Sequence, residues 1–173
     1  MTQEELDAVL ADHKLWLEKK GGRRANLNAA NLHRAKMRNA DLNGASLNGA
    51  NLYGADLTRA NLCGVGFYDA ILTRAKLDGA DLTDASFEGA EIEGGRKVIQ
   101  LLRRAMRSDG WELFLWHCKE GFYIKSGQML LTIEEAAPFW EETRGGTPLG
   151  DECLDIVDMF KKAIARAALG EKE

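Results

Sequence analysis

Cysteine is scarce in this chain. Cys63, Cys118 and Cys153 are odd in number and scattered, which argues against a disulfide framework and for a reducing cytoplasm. No apolar run approaches the ~20 residues of a membrane-spanning helix, so no membrane association is expected. The acidic start MTQEELD lacks the basic and apolar layout of a secretion signal. A formal net charge of −4 is too mild to mark an acidic tail or a nucleic-acid-binding surface. Nor does the chain carry a glycine-rich phosphate loop, a paired metal-ligand motif or a nucleophile elbow. His117-Cys118 is the one close His/Cys pair, and neighbours on a strand point to opposite faces. These gaps remove the usual routes to catalysis. The expectation is a protein that is not an enzyme and holds no cofactor or metal.

What the chain does hold is a run of fourteen five-residue units from Ala25 to Gly94, each close to Ala-(Asn/Asp)-Leu-X-X. The stretch from residue 50, ANLYGADLTRANLCG, contains three of them. At ~3.6 residues per turn, a five-residue step walks an apolar stripe around a helix. On a flat strand, an odd step sends alternate leucines to the wrong face. The backbone must therefore bend once per unit, returning each large side chain to a common axis. Leu27, Leu32, Met37 and their successors to Phe87 and Ile92 fill that axis. Alanine stands two positions earlier in thirteen units, with Val65 the exception, and lets adjacent coils approach closely. The remaining positions are mostly Asn, Asp, Arg, Lys, Gly, Ser or Thr, as an outer surface requires. Glycines at the fifth position, such as Gly44, Gly54 and Gly79, suit corners. Such an array needs stacked coils and capped ends.

These residues resemble the pentapeptide-repeat family, over about seventy of the 173 positions. The resemblance implies an all-β fold for this segment, a right-handed quadrilateral β-helix with four units per coil. Residues twenty apart would then stack in columns. Three and a half coils at the ~4.8 Å spacing of neighbouring strands make a rod about 17 Å tall.

Three regions are expected: an N-terminal helical cap (1–22), the solenoid (23–95), and a small α+β C-terminal domain (96–173). Thr2 followed by Glu5 is a capping box, and Leu6, Val9, Leu10, His13 and Leu17 line one side of the helix it opens. Gly21-Gly22 ends the cap, and Trp16 reads as part of it. Past Gly94-Gly95, turns at Ser108-Asp109-Gly110 and Lys119-Glu120-Gly121 predict a three-stranded antiparallel meander. The segment 98–106 also fits helical spacing. A second capping box, Thr132 with Glu135, predicts a helix to about Thr143, and a longer helix runs from Gly150 to Leu169.

Functionally, the repeat predicts a scaffold that presents rigid faces to a protein partner. Tyr53, Tyr68 and Ile71 are expected outward near one corner, rimmed by Arg74, as a contact site. The resemblance also offers an alternative, a DNA-mimicking modulator of a DNA-binding enzyme such as a topoisomerase. Its acidic face would be Asp41, Asp81 and Asp84. Against it, the repeat balances nine acids with six bases, and Lys36, Asp56 and Lys76 alternate in one column. Direct contact with nucleic acid is not expected. The aromatic C-terminal domain offers a possible homodimer interface.

Overall fold

The structure, a computed structural model, describes residues 1–127 and 129–168. It divides into two compact units, Met1–Ile99 and the residues from Gln100 on.

The first unit opens with α1 (Gln3–Leu17), whose capping box is complete. The Thr2 hydroxyl accepts from the Glu5 N–H at 3.2 Å, and the Glu5 carboxylate accepts from the Thr2 N–H at 2.8 Å. Leu6 and His13 are buried on the inner side of the helix. Two side chains then tie α1 to the first coil. The Gln3 amide pairs with the Lys36 backbone, accepting its N–H at 3.0 Å and donating to its carbonyl at 3.1 Å. His13 Nδ1 accepts the Ala25 N–H at 3.0 Å. The helix thereby satisfies backbone groups that a bare coil edge would leave unpaired.

From Asn26 onward, parallel bridges join residues twenty apart, Asn26↔Ser46 through Ile71↔Glu91, so each coil takes four units. The units fall into four stacks. The first stack holds 25–29, 45–49, 65–69 and 85–89, and the second holds 30–34, 50–54, 70–74 and 90–94. The third holds 35–39, 55–59 and 75–79; the fourth holds 40–44, 60–64 and 80–84. Every central residue from Leu27 to Ile92 is buried, each worth about 1.5–3 kcal/mol of transfer free energy. Ala30, Ala35, Ala40 and Ala85 are half-buried, because the end coils have a neighbour on one side only. Phe67 and Phe87 replace leucine in consecutive coils of one stack and lie ring on ring, 5.0 Å apart.

The bend in each unit is a turn closed from the central carbonyl to the next alanine, as in Ala30 N–H to Leu27 O at 3.1 Å. The fifth residue of every unit has a positive φ, between +53° and +75°, which suits position i+2 of a type II turn. Half of these residues are glycine; Arg34, Arg59 and Arg74 adopt the same conformation.

The last coil is closed by chain reversal. β1 (Glu91–Ile92) turns through Glu93–Gly95 and pairs antiparallel with the start of β2 (Arg96–Met106), Glu91 facing Lys97 and Ile92 facing Arg96. Val98 exchanges hydrogen bonds of 2.8 Å with Gly89 and Ala90.

In the second unit, β2 leads to β3 (Glu112–Cys118), β4 (Gly121–Ser126), β5 (Met129–Thr132), α2 (Ile133–Arg144) and α3 (Pro148–Ala168). Strand order follows the chain. Residues 98–106 are strand, not helix, because the turn at 107–110 returns the chain alongside them, with Gly110 N–H on Arg107 O and Arg107 N–H on Trp111 O. The expected three-stranded meander is corrected to include a further strand. β5 pairs with β4 from Tyr123↔Thr132 to Ser126↔Met129. The Thr132 capping box is present and starts α2. Leu169, the expected end of the last helix, lies outside the described residues. Leu115, Ile124, Trp140, Cys153, Val157 and Phe160 are central to the core between sheet and helices.

Candidate functional site

The outer wall of the coil is built from short polar side chains that satisfy backbone donors. Asn26, Asn31, Asp41, Asn51, Asp56, Asn61 and Asp81 each accept the N–H two residues ahead, at 3.0–3.2 Å. Ser46 and Gly66 break this pattern, and a ladder in the first stack replaces it. Asn28 Oδ1 accepts from Asn48 N–H, and Asn48 Oδ1 accepts from Tyr68 N–H, both at 3.0 Å. A Cβ at residue 66 would stand 2.7 Å from Asn48 Oδ1, so the irregular Val65-Gly66-Phe67 unit makes room for its neighbour's side chain.

On this wall Tyr53, Ile71 and Arg74 share the second stack, whereas Tyr68 stands on the first and is 51% exposed. Tyr53 lies between two partners. His33 of the preceding coil stacks on it, with ring centroids 5.3 Å apart and planes within 7°. Arg74 of the following coil places its guanidinium 5.7 Å from the ring centre. Ile71 is half-buried and bridges to Asn51 and Glu91. His33 was not singled out in the sequence. A twenty-residue step from Tyr53 finds it once four units per coil are accepted.

Asp41, Asn61 and Asp81 form one ladder in the fourth stack, with Asn61 Nδ2 donating to Asp41 Oδ1 at 3.0 Å. Asp84 occupies a positive-φ corner of the same stack. In the third stack, Lys36, Asp56 and Lys76 follow one another, and Arg38 lies 3.5 Å from Asp56. Burial pushes the Asp56 carboxyl up, but the Thr58 hydroxyl and N–H, Arg38 and Lys76 together hold it below the usual value. His13 is fully buried and stacks on Trp16, itself 40% exposed. Burial pushes the His13 imidazole below its ordinary pKa; Asp41 and the Asn43 backbone oppose the shift, and Arg24 adds to it.

In the second unit, Arg107 pairs with Asp109 and donates to Cys153 Sγ at 3.5 Å, while Ser108 binds the Glu152 carboxylate through its N–H and hydroxyl, both at 2.8 Å. The Arg107 guanidinium holds the Asp109 carboxyl below its usual range. His117 stacks on Phe122 while Cys118 is buried. A cleft of about 790 Å3 opens among Trp111, Met129, Phe139, Trp140, Arg144 and Leu149. Among the described residues no group of three His, Cys, Asp or Glu side chains is placed to hold a metal, and no helix is long and apolar enough to cross a membrane. The three cysteines are free.

A coil with a leucine axis, a turn per unit and polar walls defines a solenoid repeat protein. The pentapeptide-repeat model matches residues 25–64 and 62–95, in eight copies, so this region carries pentapeptide repeats, and proteins built on such repeats fold as right-handed β-helices. Among solved structures, the chain is similar to a pentapeptide repeat protein of the cyanobacterium Cyanothece, at 36% identity over 42% of this chain and 50% of that one, with a TM-score of 0.40. It is also similar to one from the Arabidopsis thaliana thylakoid lumen, at 31% identity over 50% of this chain and 55% of that one, with a TM-score of 0.40. HetL, involved in heterocyst differentiation regulation in Nostoc, shares 32% identity over 43% of this chain and 41% of its own, with a TM-score of 0.26. The chain thus spans about half the length of these structures or less. No curated protein matches the chain.

Proposed function

We propose that this protein is a non-enzymatic interaction scaffold, a quadrilateral rod whose flat sides are presented to a protein partner. The observation that carries this reading is the outward cluster on the second stack. The His33–Tyr53 stack and the Arg74 guanidinium over it hold aromatic and cationic groups on a backbone fixed by coil-to-coil bridges. Ile71 widens the cluster, and Tyr68 extends it round the corner. The free thiols support a cytoplasmic setting. Exposed Met106, Trp111 and Met159 support a homodimer through the second unit. Affinity capture from the native host tests the scaffold. A specific partner is expected with the parent chain and is lost with Tyr68→Asp/Ile71→Asp at unchanged circular dichroism. Capture that survives this change removes the corner from the site.

The acidic fourth stack favours a second reading, a DNA mimic, because Asp41, Asp81 and Asp84 have no base among them. A topoisomerase relaxation assay at low salt decides it. Inhibition that fades as salt rises supports mimicry, and none at low salt removes it.

A further inference from the structure

The coil sorts charge by side. All six bases of residues 25–94 fall on two adjacent stacks: Arg34 and Arg74 on the second, Lys36, Arg38, Arg59 and Lys76 on the third. The first and fourth stacks carry Asp41, Asp69, Asp81, Asp84 and Glu88 with no base. In the linear sequence acids and bases are interspersed from Arg34 to Asp78, so the sorting by side emerges only when units twenty residues apart are superposed.

The basic side is also spaced. Arg34 and Lys36 stand at the first coil and Arg74 and Lys76 at the third, all exposed, two coils or about 9.6 Å apart along the axis. Where the two stacks meet, the level between them holds Tyr53, Gly54 and Asp56, while its one base, Arg59, stands at the far end of the third stack's unit. Gly54, at a φ of +65°, lies against the Arg34 stem, whose Cγ is in ordinary contact distance, 3.4 Å, of where a Cβ would stand. Arg74 is held over Tyr53. The edge therefore presents positive charge, an aromatic step with a carboxylate beside it, then positive charge again.

We propose that this edge binds an acidic amphipathic helix of a partner protein, lying along the rod axis; the proposal rests on the scaffold reading and specifies its partner. Carboxylates seven residues apart on a helix rise about 10.5 Å, close to the two-coil spacing of the arginines. The apolar residues midway, three or four positions on, meet Tyr53, and Ile71 stands one coil further, at the level of Arg74. An extended strand repeats its same-side residues at about 6.7 Å and falls out of step within one repeat. A nucleic-acid backbone is disfavoured because its phosphates would run continuously past Asp56 and Asp78, which interrupt the bases.

Fluorescence anisotropy with the full chain tests the assignment. The probe is a labelled helical peptide with glutamates seven residues apart and leucines midway. Binding is expected at low salt, weakened at least ~10-fold by Arg34→Glu/Arg74→Glu and changed less than ~3-fold by Asp41→Lys/Asp81→Lys. Arg34→Gln/Arg74→Gln keeps the arginine stems' contacts and gives the same reading if charge reversal disturbs the fold. No binding at low salt, equal binding by the arginine variants, or tighter binding of a single-stranded oligonucleotide of similar length overturns the proposal. A captured partner that is lost on Ile71→Asp but survives Arg34→Glu/Arg74→Glu overturns it too, and leaves the scaffold reading standing.

Discussion

At the scale of single residues, the coil distinguishes side chains that fill it from side chains that complete its hydrogen bonding. The leucine axis was legible in the sequence because its period is a direct consequence of one bend per unit. The role of Gly66 was not, since it depends on Asn48, eighteen residues earlier and one coil away. A mutant cycle exposes the exchange. Gly66→Asn alone is expected to destabilise the coil by about 1–3 kcal/mol through the clash with Asn48. Adding Asn48→Ala should recover part of that loss, because the introduced amide would then accept the Tyr68 N–H itself. Urea unfolding of the four proteins measures the coupling, and strict additivity would contradict it. His13 supplies a pH dependence. Its Nδ1 accepts the Ala25 N–H only when unprotonated, and burial lowers its folded pKa. The unfolded chain therefore binds more protons than the folded one, and stability rises with pH. The contribution is complete above the unfolded value of about 6.5 and is lost as pH falls toward the lowered folded value. Unfolding midpoints from pH 7.5 downward should decline through this window and flatten in His13→Gln; an unchanged slope removes His13 as the cause.

Elements show a similar division. Both capping boxes were readable, because Thr2/Glu5 and Thr132/Glu135 are local signals whose hydrogen bonds span three residues. Thr132→Ala should cost about 0.5–2 kcal/mol, read as a lower urea midpoint, since it removes the acceptor for the Glu135 N–H. Arg96–Met106 was ambiguous because its apolar residues fit two periods, and only a partner strand decides between them. Met129–Thr132 went unread for a related reason. Four residues without alternation carry no strand signal of their own, and the pairing with β4 defines them. The candidate contact site was partly legible. Tyr53, Ile71 and Arg74 do share a stack, but Tyr68 sits on the next one, and the His33 stack on Tyr53 follows from coil geometry that spacing alone leaves open.

For the whole molecule, the division at Ile99/Gln100 falls inside β2, where composition gives no linker to mark it. Each unit owns a core, one a leucine axis and the other the cluster around Trp140 and Phe160. Native-state hydrogen exchange in increasing urea should therefore resolve two groups of amides, one within 27–92 and one within 113–160, with different opening free energies. A single shared opening would show that the units unfold as one.

The two ends of the coil carry a last implication. Gln3 occupies the backbone of Lys36 at one end, and at the other the antiparallel return of β2 meets Ala90 and Gly89. Stacked parallel coils would otherwise recruit further coils from other molecules, as any open ladder does. Antiparallel pairing at the terminus presents the wrong polarity to an incoming parallel coil. The length of the rod is thus set by the chain itself, and fibre growth is refused at both poles.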